Sequence, residues 1–230
     1  MSLPPQPVVP RGRIPAVMRR LGKAIVDLEE PAVEKIAEDQ AKDPFQVCIA
    51  TLLSAQTRDA VTHEASTRLF RVARTPRAMA KLTVAEIERL IYPVSFYRTK
   101  AVHVKQACEQ IVARFNGRVP STMAELLTLP GVGRKTANLV LILAHRSRQN
   151  ICVDTHVHRI SNRLGWVATR TPEETERALY AVMHRRWWPI VNLYLVTWGQ
   201  NVCRPVYPLC GSCAVAGLCP KIGVTKVGKG

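Results

Sequence analysis

The sequence predicts an all-α protein. Three observations carry that prediction. No stretch of the 230 residues alternates apolar and polar positions at period two. Helix-start signatures recur instead, as T-x-x-E boxes at Thr83/Glu86, Thr122/Glu125 and Thr171/Glu174. A Gly131-x-Gly133 turn sits between two stretches of helical spacing. Together they predict nine or ten helices of ordinary length, joined by short loops.

Taken in order, residues 1–15 hold five prolines, two arginines and no acid, the composition of a disordered tail. Asp43-Pro44 opens a helix that carries Phe45, Ile49, Leu52 and Leu53. Thr75-Pro76 is an N-cap followed by Pro at the first helical position. Thr83 starts the next helix. Residues 99–115 carry Val104, Cys108, Ile111 and Phe115 at helical spacing, and Asn116-Gly117 stops them. Thr122 opens a helix that Pro130 ends, and a second begins near Arg134 and runs through Leu139–Ala144. Val153, Val157, Ile160 and Leu164 mark another. Residues 222–230, rich in Gly and Lys, read as a frayed tail.

The charge narrows the partners. There are 33 Lys and Arg against 17 Asp and Glu, a net +16. Between Leu126 and Pro172 stand seven cations and one acid, Asp154. No acid follows Glu176, while seven more cations do. A field of one sign favours a polyanion, most simply nucleic acid, over a merely solubilising surface. The longest apolar runs, Leu139–Ala144 and Ala178–Met183, are six residues each. A membrane span needs about 20, so no membrane role is expected. No signal-peptide pattern opens the chain.

The stretch Leu129-Pro130-Gly131-Val132-Gly133-Arg134-Lys135-Thr136-Ala137 is the most informative. A tight turn that leads into a helix N-terminus presents backbone N–H groups and the positive end of a dipole. That is an anion site suited to one DNA phosphate. The plainer reading is a helix–helix connection. Lys135 lies in the first turn of the second helix. It is either a phosphate ligand or, if burial, neighbouring cations and the dipole disfavour its ammonium form, a nucleophile. Asp154 precedes a helical pattern and reads as an N-cap. As the one acid among seven cations it could also accept a proton or stabilise a sugar cation. Capping would hold such a carboxylate rigid, so the two readings are compatible.

Seven cysteines are present, four of them in Cys203-x6-Cys210-x2-Cys213-x5-Cys219. So dense a group reads first as metal binding. A structural zinc site usually has two close pairs. One C-x-x-C flanked by single cysteines, in a loop with Pro205, Pro208 and Gly211, suits a larger body such as a [4Fe–4S] cluster. Zinc remains open on spacing alone. Cys48, Cys108 and Cys152 stand in apolar contexts and read as inert core residues.

Four blocks in order carry a resemblance. They are Leu52-Leu53-Ser54-Ala55-Gln56-Thr57-Arg58-Asp59, the hairpin, Val153-Asp154-Thr155-His156 and the four cysteines. Over roughly residues 30–220 the chain resembles the endonuclease III family of DNA glycosylases, within the helix-hairpin-helix superfamily. The resemblance implies two all-helical domains. One is a six-helix domain at 37–147, with its helix-hairpin-helix at about 123–143. The other joins 16–36 to 148–221 and holds a [4Fe–4S] cluster. DNA would lie in the groove between them.

The family removes oxidised or ring-saturated pyrimidines from duplex DNA and nicks the abasic site. Carried onto this chain, Lys135 is the attacking amine and Asp154 its carboxylate partner. Cys203, Cys210, Cys213 and Cys219 are the cluster ligands. Gly131, Val132, Gly133 and Arg134 meet the DNA. Gln56 fills the gap left by a flipped nucleotide, and Phe96 is the apolar wedge. Lys135 argues for the class that also cuts the backbone. Two departures stand out. Ser95 replaces a glycine common in the family's wedge loop, and Arg204 is the one cation between the first two cysteines.

The expected partner is double-stranded DNA with damaged pyrimidines or abasic sites, bound by a monomer. The expected location is the cytoplasm, at the nucleoid, or the nucleus or mitochondrion of a eukaryote. One rival is a glycosylase-lyase of the same fold for another lesion, such as a pyrimidine dimer. A rival of another class is a non-catalytic helix-hairpin-helix DNA-binding protein with a four-cysteine zinc site. An iron–sulfur electron carrier is disfavoured by the +16 charge and the absence of a second cysteine set.

Overall fold

The computed structural model describes residues 13–229. Among them are twelve α-helices, two short 3-10 helices and no β-strand. The helices are α1 (Arg13–Ala24), α2 (Ala32–Asp39), α3 (Pro44–Ser54), α4 (Asp59–Val72), α5 (Pro76–Met79) and α6 (Val84–Ile91). There follow α7 (Tyr97–Phe115), α8 (Met123–Leu126), α9 (Arg134–Leu143), α10 (Thr155–Arg163), α11 (Pro172–Val182) and α12 (Val191–Asn201). The all-α expectation holds. Two of the twelve, α5 and α8, are single turns of four residues each, at the starts marked by Thr75 and Thr122. Among the described residues no helix is long and apolar enough to cross a membrane.

The chain divides into two units. One is Pro31–Ser147; the other runs to Glu30 and resumes at Arg148. The first boundary falls six residues before the expected 36/37 division, because α2 packs on α3 and α4. Its Ile36 and Ala37 are 3% and 1% exposed in that core.

In the unit 31–147, α3 is the central helix. Every residue from Phe45 to Leu53 is buried, so the helix is covered on all sides, by α2, α4, α7 and α9 among others. Each such aliphatic side chain is worth about 1.5–3 kcal/mol on burial. Asp43 caps α3 by accepting from Gln46 N at 2.9 Å, and Pro44 stands at its first position. The capping boxes differ among themselves. Thr83 and Glu86 make the full reciprocal pair. Thr122 and Thr171 accept from the backbone of Glu125 and Glu174. The Glu125 carboxylate, however, takes the Thr122 hydroxyl, and that of Glu174 takes Arg170 N. The helix before the hairpin ends at Leu126, not at Pro130, and turns bridge the interval.

In the other unit, Ile14, Val17, Met18 and Leu21 form the buried face of α1, which packs on α12. Trp166 and Leu195 lie in the same core. Two tail expectations are corrected. Residues 1–12 lie outside the described residues, but Arg13, Ile14 and Pro15 open α1, because Ile14 belongs to its apolar face. Within 222–229, expected as a frayed tail, backbone hydrogen bonds tie the chain back. Ile222 N donates to Arg163 O at 3.1 Å, and Gly228 N donates to Pro208 O at 3.0 Å.

Candidate active site

The hairpin before α9 is built by two glycines with different reasons. Gly131 has φ +75, the left-handed region that favours glycine. A β-carbon there would lie 2.9 Å from His103 Cβ and Nδ1. Gly133 is different. Its backbone is extended, and a β-carbon would meet nothing within 4 Å. The fold does not require that glycine, and the open space suits a close partner. Between them Val132 is 6% exposed in the core, and its N–H donates to Leu129 O at 3.1 Å. Val132, which the resemblance places at the DNA, has its side chain and its N–H both turned to the protein, where they anchor the hairpin. Arg134 is exposed and Lys135 half-buried, in the first turn of α9, which contains no acid.

Gln56 and Phe96 share two properties. Both are exposed, Phe96 at 66%. Both have left-handed backbone, φ +54 and +57. Gln56 follows the C-terminus of α3, and Phe96 is the N-cap of α7. Such conformations persist in non-glycine residues where the surroundings over-determine them. Here Ser95 N donates to Thr57 Oγ1 at 3.2 Å, tying the two loops together. Arg68 on α4 fixes the other side of the Phe96 loop, donating to the carbonyls of Leu90, at 3.0 Å, and Tyr92. Ser95 therefore serves through its backbone.

Asp154 is the N-cap of α10. Its Oδ1 accepts from His156 N and Val157 N, each at 2.9 Å. The same helix reaches the cysteine loop. Arg159 donates to Cys203 O at 2.8 Å, and Arg163 donates to Arg204 O at 2.7 Å and to Cys203 Sγ at 3.4 Å. Arg204 itself is exposed. Asp154 and the cysteines thus belong to one unit, while Lys135, Gln56 and Phe96 belong to the other.

Cys203, Cys210, Cys213 and Cys219 line one apolar pocket, with Leu164, Trp198, Val215 and Val224. Burial pushes the thiols of Cys213 and Cys219 up. N–H donors oppose that: Val215 N acts on Cys213, and Lys221 N donates to Cys219 Sγ at 3.4 Å. The buried indole N–H of Trp198 also favours the Cys213 thiolate, without reaching hydrogen-bond geometry. Among the described residues no three His, Cys, Asp or Glu side chains form a group that could hold a metal ion. Four thiols around a pocket, with N–H groups aimed at sulfur, fit a sulfur-rich body larger than one ion.

Cys48, Cys108 and Cys152 are buried. Burial pushes the Cys48 thiol up to about 12 and the Cys108 thiol up as well, so both are inert.

Sequence reasoning missed Lys100. It is 7% exposed, and its Nζ donates to Leu53 O, Ala55 O and Thr57 Oγ1 at 2.7, 2.5 and 3.1 Å. The signal was there: Lys100 stands four residues before Val104, on the apolar stripe of its helix. His103, under Gly131, left no comparable sign.

Comparison with known proteins follows the same lines. Residues 49–184 match the family model described as HhH-GPD superfamily base excision DNA repair protein. The chain is 48% identical to Endonuclease III of Thermotoga maritima, over 77% of its own length and 83% of that protein. It is 46% identical to Endonuclease III homolog 2, chloroplastic, of Arabidopsis thaliana, over 76% of this chain and 48% of the plant protein. A relative in a chloroplast means that the family alone assigns no compartment. A solved structure of a trapped Endonuclease III–DNA covalent intermediate, an estranged-adenine complex, superimposes with a TM-score of 0.81 at 32% identity. It covers 93% of this chain and 97% of the other. The chain therefore belongs to the HhH-GPD superfamily of base excision DNA repair proteins and, within it, to the endonuclease III family of DNA glycosylases and AP lyases.

Proposed function

We propose that this chain excises oxidised or ring-saturated pyrimidines from double-stranded DNA and cuts the abasic site by β-elimination. The observation that carries the reading is the hairpin, which presents Lys135 in an acid-free first helical turn beside an unfilled glycine, Gly133. The covalent intermediate of a relative with DNA supports an attacking group on the protein.

A base inside the duplex cannot be reached, so the nucleotide is flipped out, and a poorly stacked lesion flips more readily. Gly131, Gly133 and Arg134 hold phosphate. Gln56 fills the vacated space, and Phe96 wedges the stack. The Lys135 amine then attacks C1′. The glycosidic bond breaks, and the base leaves with the electron pair and takes a proton. The lysine nitrogen and the opened sugar form a Schiff base. Loss of a C2′ proton drives cleavage of the 3′ C–O bond, and water releases the lysine. Asp154, held rigid by its two cap hydrogen bonds, accepts a proton and balances charge as the base departs.

Cys203, Cys210, Cys213 and Cys219 would hold a [4Fe–4S] cluster. When bound it supplies structure and a docking surface, since the reaction consumes no electrons.

Borohydride trapping on duplex DNA with one thymine glycol tests the reading. A covalent protein–DNA band that disappears in Lys135→Ala is the expected result. A band on a preformed abasic site alone keeps the lyase and moves the lesion elsewhere, to a pyrimidine dimer for example. No band on either substrate overturns the proposal.

A further inference from the structure

One stripe of α7 touches each of the DNA-facing elements in the unit 31–147. Phe96 caps the helix, Lys100 follows one turn later, and His103 lies against Gly131 another turn on. These are positions i, i+4 and i+7, which share a helix face. Gln110, seven beyond His103, donates to Thr128 O and Oγ1 at 3.2 and 3.0 Å. The middle member of this stripe is a cation that the reaction scheme does not use.

Lys100 is buried, yet it donates to two carbonyls and a hydroxyl. A buried cation is costly unless its donors are met. Leu53 and Ala55 belong to the last turn and C-cap of α3, where helix carbonyls lack helical partners and a cation complements the dipole. That much would be served by any cap. The third acceptor goes further. Thr57 Oγ1 takes Lys100 Nζ and, at 3.2 Å, the N–H of Ser95. One hydroxyl therefore joins the turn that bears Gln56 to the loop that ends at Phe96. Gln56 is flanked on both sides by residues that Lys100 holds, Ala55 and Thr57. Its left-handed backbone, φ +54, is one that needs such restraint.

We propose that Lys100 is a positioning residue that locks the Gln56 turn to the Phe96 loop, so that both side chains meet the duplex as one rigid element. The inference rests on the reading of Gln56 and Phe96 as the gap-filling and wedging residues. Pre-organisation of this kind acts where two side chains must replace a flipped nucleotide together. It does not act where no base has to leave a stack.

The test is a ratio. Excision of thymine glycol from duplex DNA is divided by cleavage of an abasic site in a single strand, which needs no flipping. Lys100→Met should lower the ratio tenfold or more. Thr57→Val leaves Lys100 on its two carbonyls but removes the shared hydroxyl; it should lower the ratio about threefold with an unchanged melting temperature. It decides the matter if Lys100→Met fails to fold. In a background carrying both Gln56→Ala and Phe96→Ala, Lys100→Met should add less than twofold. If Gln56→Ala and Phe96→Ala lower the ratio while Lys100→Met and Thr57→Val do not, Lys100 is a helix cap only and the inference is overturned. If Gln56→Ala and Phe96→Ala leave the ratio unchanged, the underlying reading of those two residues fails, and the clamp with it.

Discussion

The imidazole of His103 occupies the space that a β-carbon on Gly131 would need, with Nδ1 2.9 Å from that position. The two glycines of the hairpin should therefore respond differently to alanine. Gly131→Ala combines left-handed strain with this overlap and should cost about 2–3 kcal/mol, read from thermal melts. Gly133→Ala should leave stability within about 0.5 kcal/mol, because nothing lies near the new methyl group. It should nonetheless weaken DNA binding, measured by anisotropy at one fixed salt concentration. Full binding by Gly133→Ala would remove this glycine from the DNA contact.

Asp154 combines capping with its proposed chemistry, and two substitutions separate them. Asparagine keeps a cap acceptor, so Asp154→Asn should fold with near-native stability. Its single-turnover excision rate should fall about 10²-fold or more, the usual worth of a positioned acid–base group. Asp154→Ala should lose about 1 kcal/mol of stability in addition. Equal excision by Asp154→Asn and the unaltered protein would leave Asp154 as a cap alone.

The cysteine pocket predicts a coloured protein. As purified, the chain should absorb in the visible and carry iron. Cys213→Ser removes one of the four thiols around the pocket and should bleach that absorbance and lower the melting temperature. A colourless protein that carries zinc would favour the four-cysteine zinc alternative. Brown, fully stable Cys213→Ser would exclude this cysteine as a ligand.

Lys100 should make stability and duplex preference depend on pH in opposite senses. Burial holds its ammonium down to about 8, from an ordinary 10.5. Between those values the unfolded chain binds more protons than the folded one. This group's contribution to stability is thus a constant cost below pH 8 and is relieved as pH rises toward 10.5. Denaturant unfolding at pH 7 and 9.5 should show the native protein gaining on Lys100→Met. The neutral amine has two N–H donors for three acceptors, so the clamp loosens over the same interval. The duplex-to-single-strand ratio should fall above pH 8, and Lys100→Arg, which stays charged, should hold it. A flat ratio between pH 7 and 9.5 would separate the clamp from the charge.

Much of the fold was legible because its signals are short-range. Asp43-Pro44, Thr75-Pro76 and Thr83/Glu86 each mark a helix start through groups within four residues, and each is found where expected. The starts of α5 and α8 are legible at Thr75 and Thr122, but their extents are not, since four residues are too few to show a period. The end of the chain shows a second limit of composition. Composition describes residues 222–230 as tail-like, but Gly228 finds its acceptor, Pro208, twenty positions away.

The sequence by itself determined the helical class, the hairpin with Lys135, the cap position of Asp154 and the grouping of four cysteines. Those features depend on residue type and spacing along one chain segment, and chemistry at that range does not wait for tertiary contacts. Only the tertiary structure decided that Gly131 is required by His103, that Val132 turns inward, and that Lys100 joins Thr57 to the loop at Ser95. Thr57 and Ser95 are 38 residues apart, and Lys100 is 47 from Leu53. Whether a lysine is a solvated charge or a buried clamp is set by what packs over it, and that is a property of the assembled core.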